Sequence, residues 1–245
     1  MYLNTQFQNN DRRKFESEQL IMNAKAKRRI ELDLQIEARK ENIKEASIRE
    51  FIENGIDNSK ISDIAKRAEV GTATVYRYFE TKPKLVIECA TKLWSGGLNS
   101  LSEQFHPANF NNLNGFEQVN KILGAIGSLY EESPVFLRLL EQFDNYIVKE
   151  QIPKDQLLQY ETGIINARTI MLEAILTGQK DGSIRSDIDG IKFYTTATHA
   201  VVALIQKLLL RGDVIQSDQE VDSKTQIALL IEMELNFIKR TEGVY

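Results

Sequence analysis

A single cysteine, Cys89, stands among 245 residues, which excludes an intramolecular disulfide. Four prolines and 13 glycines leave long stretches in which nothing breaks a helix. The two histidines, His106 and His199, lie far apart and have no Cys or carboxylate at ligand spacing, so neither a metal site nor a cofactor is expected. No Gly-rich phosphate loop, GxSxG or HExxH occurs, and no enzyme class finds support. The chain has no run near the roughly 18 apolar residues of a membrane span, because the longest candidate, residues 200–210, is interrupted by Gln206 and Lys207. Its first ten residues lack a basic start and an apolar stretch. A secretory signal is therefore not expected, and the cytoplasm is the default compartment.

What the chain does have is helix-forming composition: 42% hydrophobic and 27% charged residues in long periodic segments, which predicts an all-α protein. The net charge of −4 conceals an asymmetry. Residues 1–95 hold 18 Lys and Arg against 15 Asp and Glu, and residues 96–245 hold 13 against 20. A basic first part and an acidic remainder suit a chain that meets phosphates only through the first.

The most informative stretch is residues 61–82, which reads as two short helices broken by a tight turn. Ile61, Ile64, Ala65 and Ala68 follow the i, i+3, i+4 spacing of a helix stripe, with Asn58 and Ser59 as its start signal. A second helix starts near Gly71 and Thr72 and turns Val75 and Phe79 inward. The small Ala65 and Ala68 allow the close crossing of a helix-turn-helix. Thr72, Ala73, Thr74, Tyr76, Arg77 and Tyr78 are left on the outside, a set of methyls, hydroxyls and a cation suited to a DNA groove.

These residues carry a family resemblance. The segment from about residue 39 to 94 resembles the TetR family of transcriptional regulators through Ala46, Phe51 and Gly55, then Ile64 and Ala65, Val70, the run from Thr74 to Phe79, and Lys82. It departs from the pattern at Glu69, where the family has a turn glycine, and at Gly71, where it has a capping serine. Glu69 must take the turn without glycine's freedom, so packing is expected to hold it; Gly71 is an acceptable cap. The resemblance implies that Thr72, Ala73, Thr74 and Tyr76 face bases or adjacent backbone, and that Ser62, Tyr78 and Lys82 contact phosphates. Lys60 and Arg77 complete the expected DNA-contacting set. It further implies a C-terminal domain that binds a small-molecule inducer, and repression as the usual mode of action.

Three regions are expected: a basic, partly helical extension over 1–35, a DNA-binding domain over 36–95 with its motif at 60–79, and a helical ligand-binding and dimerisation domain over 96–245. Residues 1–16 read as a polar, disordered lead-in, and residues 17–54 as one long helix or two abutting ones. Lys25, Lys27, Arg28 and Arg29 fit both a basic arm onto DNA and a solvated helix face. A linking helix after Pro83 is expected to end at Gly96 and Gly97. Helices follow near 114–131, 134–150, 154–180, 188–211 and 219–241, bounded by Gly and Pro signals. A segment from Gly178 to Arg185 resembles the family's link between two long C-terminal helices.

One such reading head contacts too little DNA to be selective, so a homodimer on a palindromic duplex operator is expected. The last two helices, with Val201, Val202, Leu204, Ile205, Leu208 and Leu209 on one and Leu229, Leu230, Ile231, Met233, Leu235 and Phe237 on the other, are apolar around more of their circumference than one core requires. Phe105, Phe110, Phe116, Tyr130, Phe136, Phe143, Tyr146, Tyr160, Phe193 and Tyr194 suffice to line an apolar ligand cavity. The rival reading is a helix-turn-helix fold that serves as a coactivator or adaptor and binds protein. An acidic or truncated second helix would mark it, and Thr74, Tyr76, Tyr78 and Lys82 argue against it.

Overall fold

A computed structural model describes the backbone of residues 3–104 and 110–240, and side chains over 25–94 and 110–240. Among the described residues the chain is helical and has no strand. The helices bounded within the described residues are α1 (Leu3–Asn54), α2 (Ile61–Arg67), α3 (Thr72–Phe79), α4 (Lys82–Gln104), α5 (Gly115–Glu132), α6 (Pro134–Lys149), α7 (Leu158–Asp181), α8 (Gly190–Arg211) and α9 (Ser223–Ile238). Single 3-10 turns precede α7 and α9, and one antiparallel bridge joins Ile184 to Lys239.

The first helix is longer than expected, because it begins at Leu3 rather than after a disordered lead-in. Its two parts differ in environment. Every side chain from residue 25 to 39 is exposed, including Ile30, Leu32, Leu34 and Ile36. From residue 40 onward Ile43, Ala46, Ser47, Glu50 and Phe51 are buried, at the spacing of one helix face. That face packs on α2 and α4.

Glycine also proves weaker as a stop signal than expected. Two glycines in mid-helix cost roughly 2 kcal/mol together, yet α4 runs through Gly96 and Gly97 to Gln104. The penalty falls on a helix already anchored by buried Leu85, Val86, Cys89 and Ala90. At its start Thr81 Oγ1 accepts the Lys84 N–H at 3.3 Å, and Pro83 occupies the first turn, where its missing donor costs nothing.

In the C-terminal half α5 lies centrally, packed against α6, α7, α8 and α9. Its start is fixed by a capping box in which Asn114 and Glu117 satisfy each other's backbone N–H groups. Gly115 crosses Gly178 of α7 so closely that a Cβ would sit 1.9 Å from the Gly178 nitrogen. By length and composition one described helix, α8, could cross a membrane. It buries one face, Phe193, Ala197, Val201, Ile205 and Leu208, against the protein's own helices, while 28% of its apolar stretch is buried.

Candidate nucleic-acid interface

The turn between α2 and α3 shows how a glutamate replaces glycine. Glu69 has φ of 55°, a left-handed conformation that costs a non-glycine residue about 1–3 kcal/mol. Two hydrogen bonds offset the strain: Val70 N–H to Ala65 O at 2.9 Å and Glu69 N–H to Lys66 O at 3.2 Å, the pairing of a Schellman ending. Asn42 of α1 donates to Ala68 O at 2.9 Å and so holds the turn from outside. Packing and capping thus supply what glycine would have.

Arg67 fixes α2 to α1. Its guanidinium meets Glu50 at 3.1 Å, Glu50 being nearly buried, and forks onto both carboxylate oxygens of Glu53. The start of α2 differs from expectation: its N-cap is Lys60, while Ser59 is buried and its hydroxyl donates back to Gly55 O at 2.7 Å.

With α2 so held, α3 has a fixed inner and outer side. Val75 and Phe79 are 1% and 2% exposed, which stabilises the docking of α3 by roughly 1.5–3 kcal/mol for each side chain. The outer side carries Thr72, Ala73, Tyr76 and Arg77, all exposed, with Thr74 and Tyr78 half-buried at its margins. Tyr76 is 49% exposed. Gly71 is the N-cap with extended φ and ψ and no side-chain cap, so the first N–H groups of α3 point outward without a competing side chain.

The flanking residues divide. Lys60 and Ser62 are exposed at the start of α2, Ser62 leaning towards Asp63 at 3.5 Å. Arg77 donates to the Tyr78 hydroxyl at 3.2 Å and lies 4.9 Å over its ring. Tyr78 also meets Arg39 of α1, and hydrogen bonding from Arg39, then from Arg77, holds its phenol below the ordinary value. Arg39 went unnoticed in the sequence because it lies 39 positions upstream of Tyr78, on a helix whose neighbouring residues read as solvated surface. Lys82 sits apart from this group. Its ammonium donates to Asp57 O at 3.2 Å and lies 5.7 Å from the Tyr146 ring, and burial lowers its pKa against the pull of Asp57 and Glu150.

A cavity of about 890 Å³ opens between α4, α5, α6, α7 and α8. Of the ten aromatics singled out in the sequence, Phe136, Tyr160 and Tyr194 line it. Phe143, Tyr146 and Phe193 are buried core, and Phe110, Phe116 and Tyr130 pack half-buried against that core. Phe105 and His106 lie outside the described residues. Trp94 of α4, absent from the expected set, joins the lining and stacks edge-on to Phe136 at 5.6 Å and Tyr160 at 6.3 Å. His199 lines the cavity too; among the described residues no group of three His, Cys, Asp or Glu side chains could hold a metal. Cys89 is 1% exposed and burial pushes its thiol up, which suits packing rather than reactivity.

Residues 43–89 match the family model "Bacterial regulatory proteins, tetR family". No curated protein matches the chain in sequence. Among solved structures, a protein of Mesorhizobium loti described as a TetR-family transcriptional regulator is similar at 16% identity and a TM-score of 0.63, over 84% of this chain and 98% of that one. A Saccharomonospora viridis protein described as a transcriptional regulator, in complex with choline, matches at 19% identity and 0.62, over 84% and 99%. The regulator FadR of Bacillus subtilis, in complex with stearoyl-CoA, matches at 17% and 0.58, over 80% and 98%. Residues 43–89 therefore carry a helix-turn-helix segment of the tetR type, and the chain as a whole shares the helical fold of these structures.

Proposed function

We propose that the chain is a repressor that binds a palindromic DNA operator as a homodimer and is released by a small molecule held in the C-terminal half. The observation that carries this reading is the outer side of α3, where Thr72, Ala73, Tyr76 and Arg77 are exposed while Val75 and Phe79 anchor the helix from within. Thr72, Ala73, Thr74 and Tyr76 would meet base edges and thymine methyls in the major groove. Lys60, Ser62, Arg77, Tyr78 and Lys82 would hold phosphates. Lys82 uses one of its three N–H donors on Asp57 O and keeps two for a phosphate. Residues 36–95 form the reading unit in this proposal, residues 96–245 the ligand-binding and dimerisation unit, and residues 1–35 a basic extension.

The dimer surface is the outer side of the last two helices. On α9 Ile227, Ile231 and Leu235 are buried within the chain, whereas Leu229, Met233 and Phe237 are 53%, 60% and 58% exposed at intervals of four residues. An apolar stripe of this kind is a surface awaiting a partner, and the same stripe on a second copy completes it. The cavity supplies the effector site, since it has the size of a ligand pocket. Stearoyl-CoA and choline in two of the similar proteins support that assignment.

Selection of random duplexes on the purified protein tests the reading. Recovered sites should be two-fold symmetric, with half-site centres about 34–36 Å apart. Recovery without any enriched site would remove the regulator's DNA target and the reading with it.

A further inference from the structure

The chemistry of the cavity wall selects the kind of molecule it holds. Among its described lining residues there is no Lys or Arg, and one carboxylate, Asp144 of α6. Asp144 is exposed and stands in the wall of this open cavity. Asp144 has no hydrogen-bond or salt-bridge partner among the described residues, and its charged neighbours are Glu141 on its own helix and His199 across on α8. Burial, reinforced by Glu141, raises its carboxyl to about 6. A carboxylate with no Lys or Arg beside it in a wall of otherwise uncharged side chains attracts a positive ligand.

The side chains near it point the same way. Trp94, Phe136 and Tyr160 line the cavity and stand edge-to-face, Trp94 at 85° to Phe136 and 72° to Tyr160. Asp144 raises the pKa of the Tyr160 phenol by its charge, behind the larger effect of burial, which places the two groups within electrostatic reach. Aromatic rings lining a cavity are surfaces on which cations bind. Much of the rest of the wall, including Ile122, Leu129, Leu140 and Val202, is apolar, and Gln159, Asn166, Thr198, His199 and Gln206 add uncharged polar groups.

We infer that the cavity binds a lipophilic organic cation, its charge seated between Asp144 and the Trp94, Phe136 and Tyr160 rings and its apolar body along α5 and α8. The inference rests on the reading of this cavity as the effector site and names the class of effector. An anionic ligand would bring its charge towards Asp144 and Glu141 and find no Lys or Arg in the wall to meet it.

Three probes separate the possibilities: tetraphenylphosphonium, the tetraphenylborate anion of the same shape, and neutral triphenylphosphine oxide, which has one phenyl fewer. Trp94 is the sole tryptophan of the chain and lies in the wall, so intrinsic emission, with calorimetry beside it, reports on this site. At roughly pH 8, where Asp144 is ionised, the cation should bind at least tenfold more tightly than the oxide, and the borate least. Asp144→Asn should abolish that margin and leave oxide binding unchanged. Equal binding of cation and oxide, tighter binding of the borate, or a margin that survives Asp144→Asn overturns the cation inference and leaves the cavity as an effector site. If no probe binds and Trp94 emission does not move, the effector-site reading falls as well. The comparison of the three probes on the unaltered protein stands whether or not the variant folds.

Discussion

The backbone N–H of Ile56 donates to Oε1 of Gln142 at 3.1 Å, joining the loop ahead of the helix-turn-helix to α6. Lys149, about two turns further along α6, pairs with Asp57 at 2.9 Å, and Tyr146 between them receives Lys82. The same helix lends Phe136, Leu137, Leu140 and Asp144 to the cavity. One helix therefore touches both the cavity and the helix-turn-helix, the physical connection that the proposed ligand control would use. Gln142→Ala should leave the Ile56 donor unpaired, lower stability by about 1–3 kcal/mol and speed hydrogen exchange at that amide. Unchanged exchange would mean the bond is not held in solution.

Arg39, Arg77 and Tyr78 form a cluster at the edge of α3. If it lies on the DNA backbone, Arg39→Ala should weaken binding to all duplexes alike and reduce the slope of log K against log salt by about 1. A loss confined to one sequence would make Arg39 a base-reading residue instead.

The crossing of α5 and α7 leaves no room at Gly115, where a Cβ would lie 2.3 Å from the Gly178 Cα and 2.5 Å from the Ala174 carbonyl oxygen. All three near neighbours are backbone, which cannot rotate aside. Gly115→Ala should cost about 1–3 kcal/mol or more, read as a lowered Tm. A Tm equal to that of the unaltered protein would show that the two helices separate freely.

Glu234 of α9 has a buried Oε2 with no hydrogen-bond partner among the described residues, and burial raises its carboxyl to about 7 from an ordinary 4.5. The unfolded chain releases this proton near 4.5 while the folded chain keeps it to about 7, so this residue's contribution to stability falls as pH rises through that window and is constant outside it. Glu234→Gln should remove the fall, and the Tm advantage of the variant should grow between those two pH values. An advantage independent of pH would contradict the burial.

A charge in the α9 stripe tests the dimer. Met233→Lys should shift the protein from dimer to monomer in sedimentation at micromolar concentration, since a cation would face its own symmetry mate across an apolar seam. A monomer before substitution would show that the stripe has no such partner.

The reading head was the most legible part of the chain, because its information is local. Val75 and Phe79 four residues apart, and the stripe through Ile61, Ile64, Ala65 and Ala68, determine which side of each short helix is buried. The C-terminal helices were legible to within a few residues through their Gly, Pro, Asn and Asp punctuation, as at Asn114, Pro134 and Asp189. Signals whose meaning depends on distant packing misled. Gly96 and Gly97 sit in a helix held by neighbours unseen in sequence, and residues 3–16 continue α1 despite a composition that suggests disorder. The cavity was anticipated in the right half of the chain, but Trp94 and Asp144 could not be assigned to it, because α4 and α6 meet there only in three dimensions. Arg39 and Tyr78 were separated for the same reason.

The exposed side of α3 is the centre of the account, and equilibrium binding of one selected duplex and one scrambled duplex tests it most directly. The unaltered protein should prefer the selected duplex. Replacing Thr74 and Tyr76 by Ala should take away about 1–3 kcal/mol for each lost base contact while leaving binding to the scrambled duplex as it was. A double variant that keeps both the affinity and the preference of the unaltered protein would show that α3 does not read DNA.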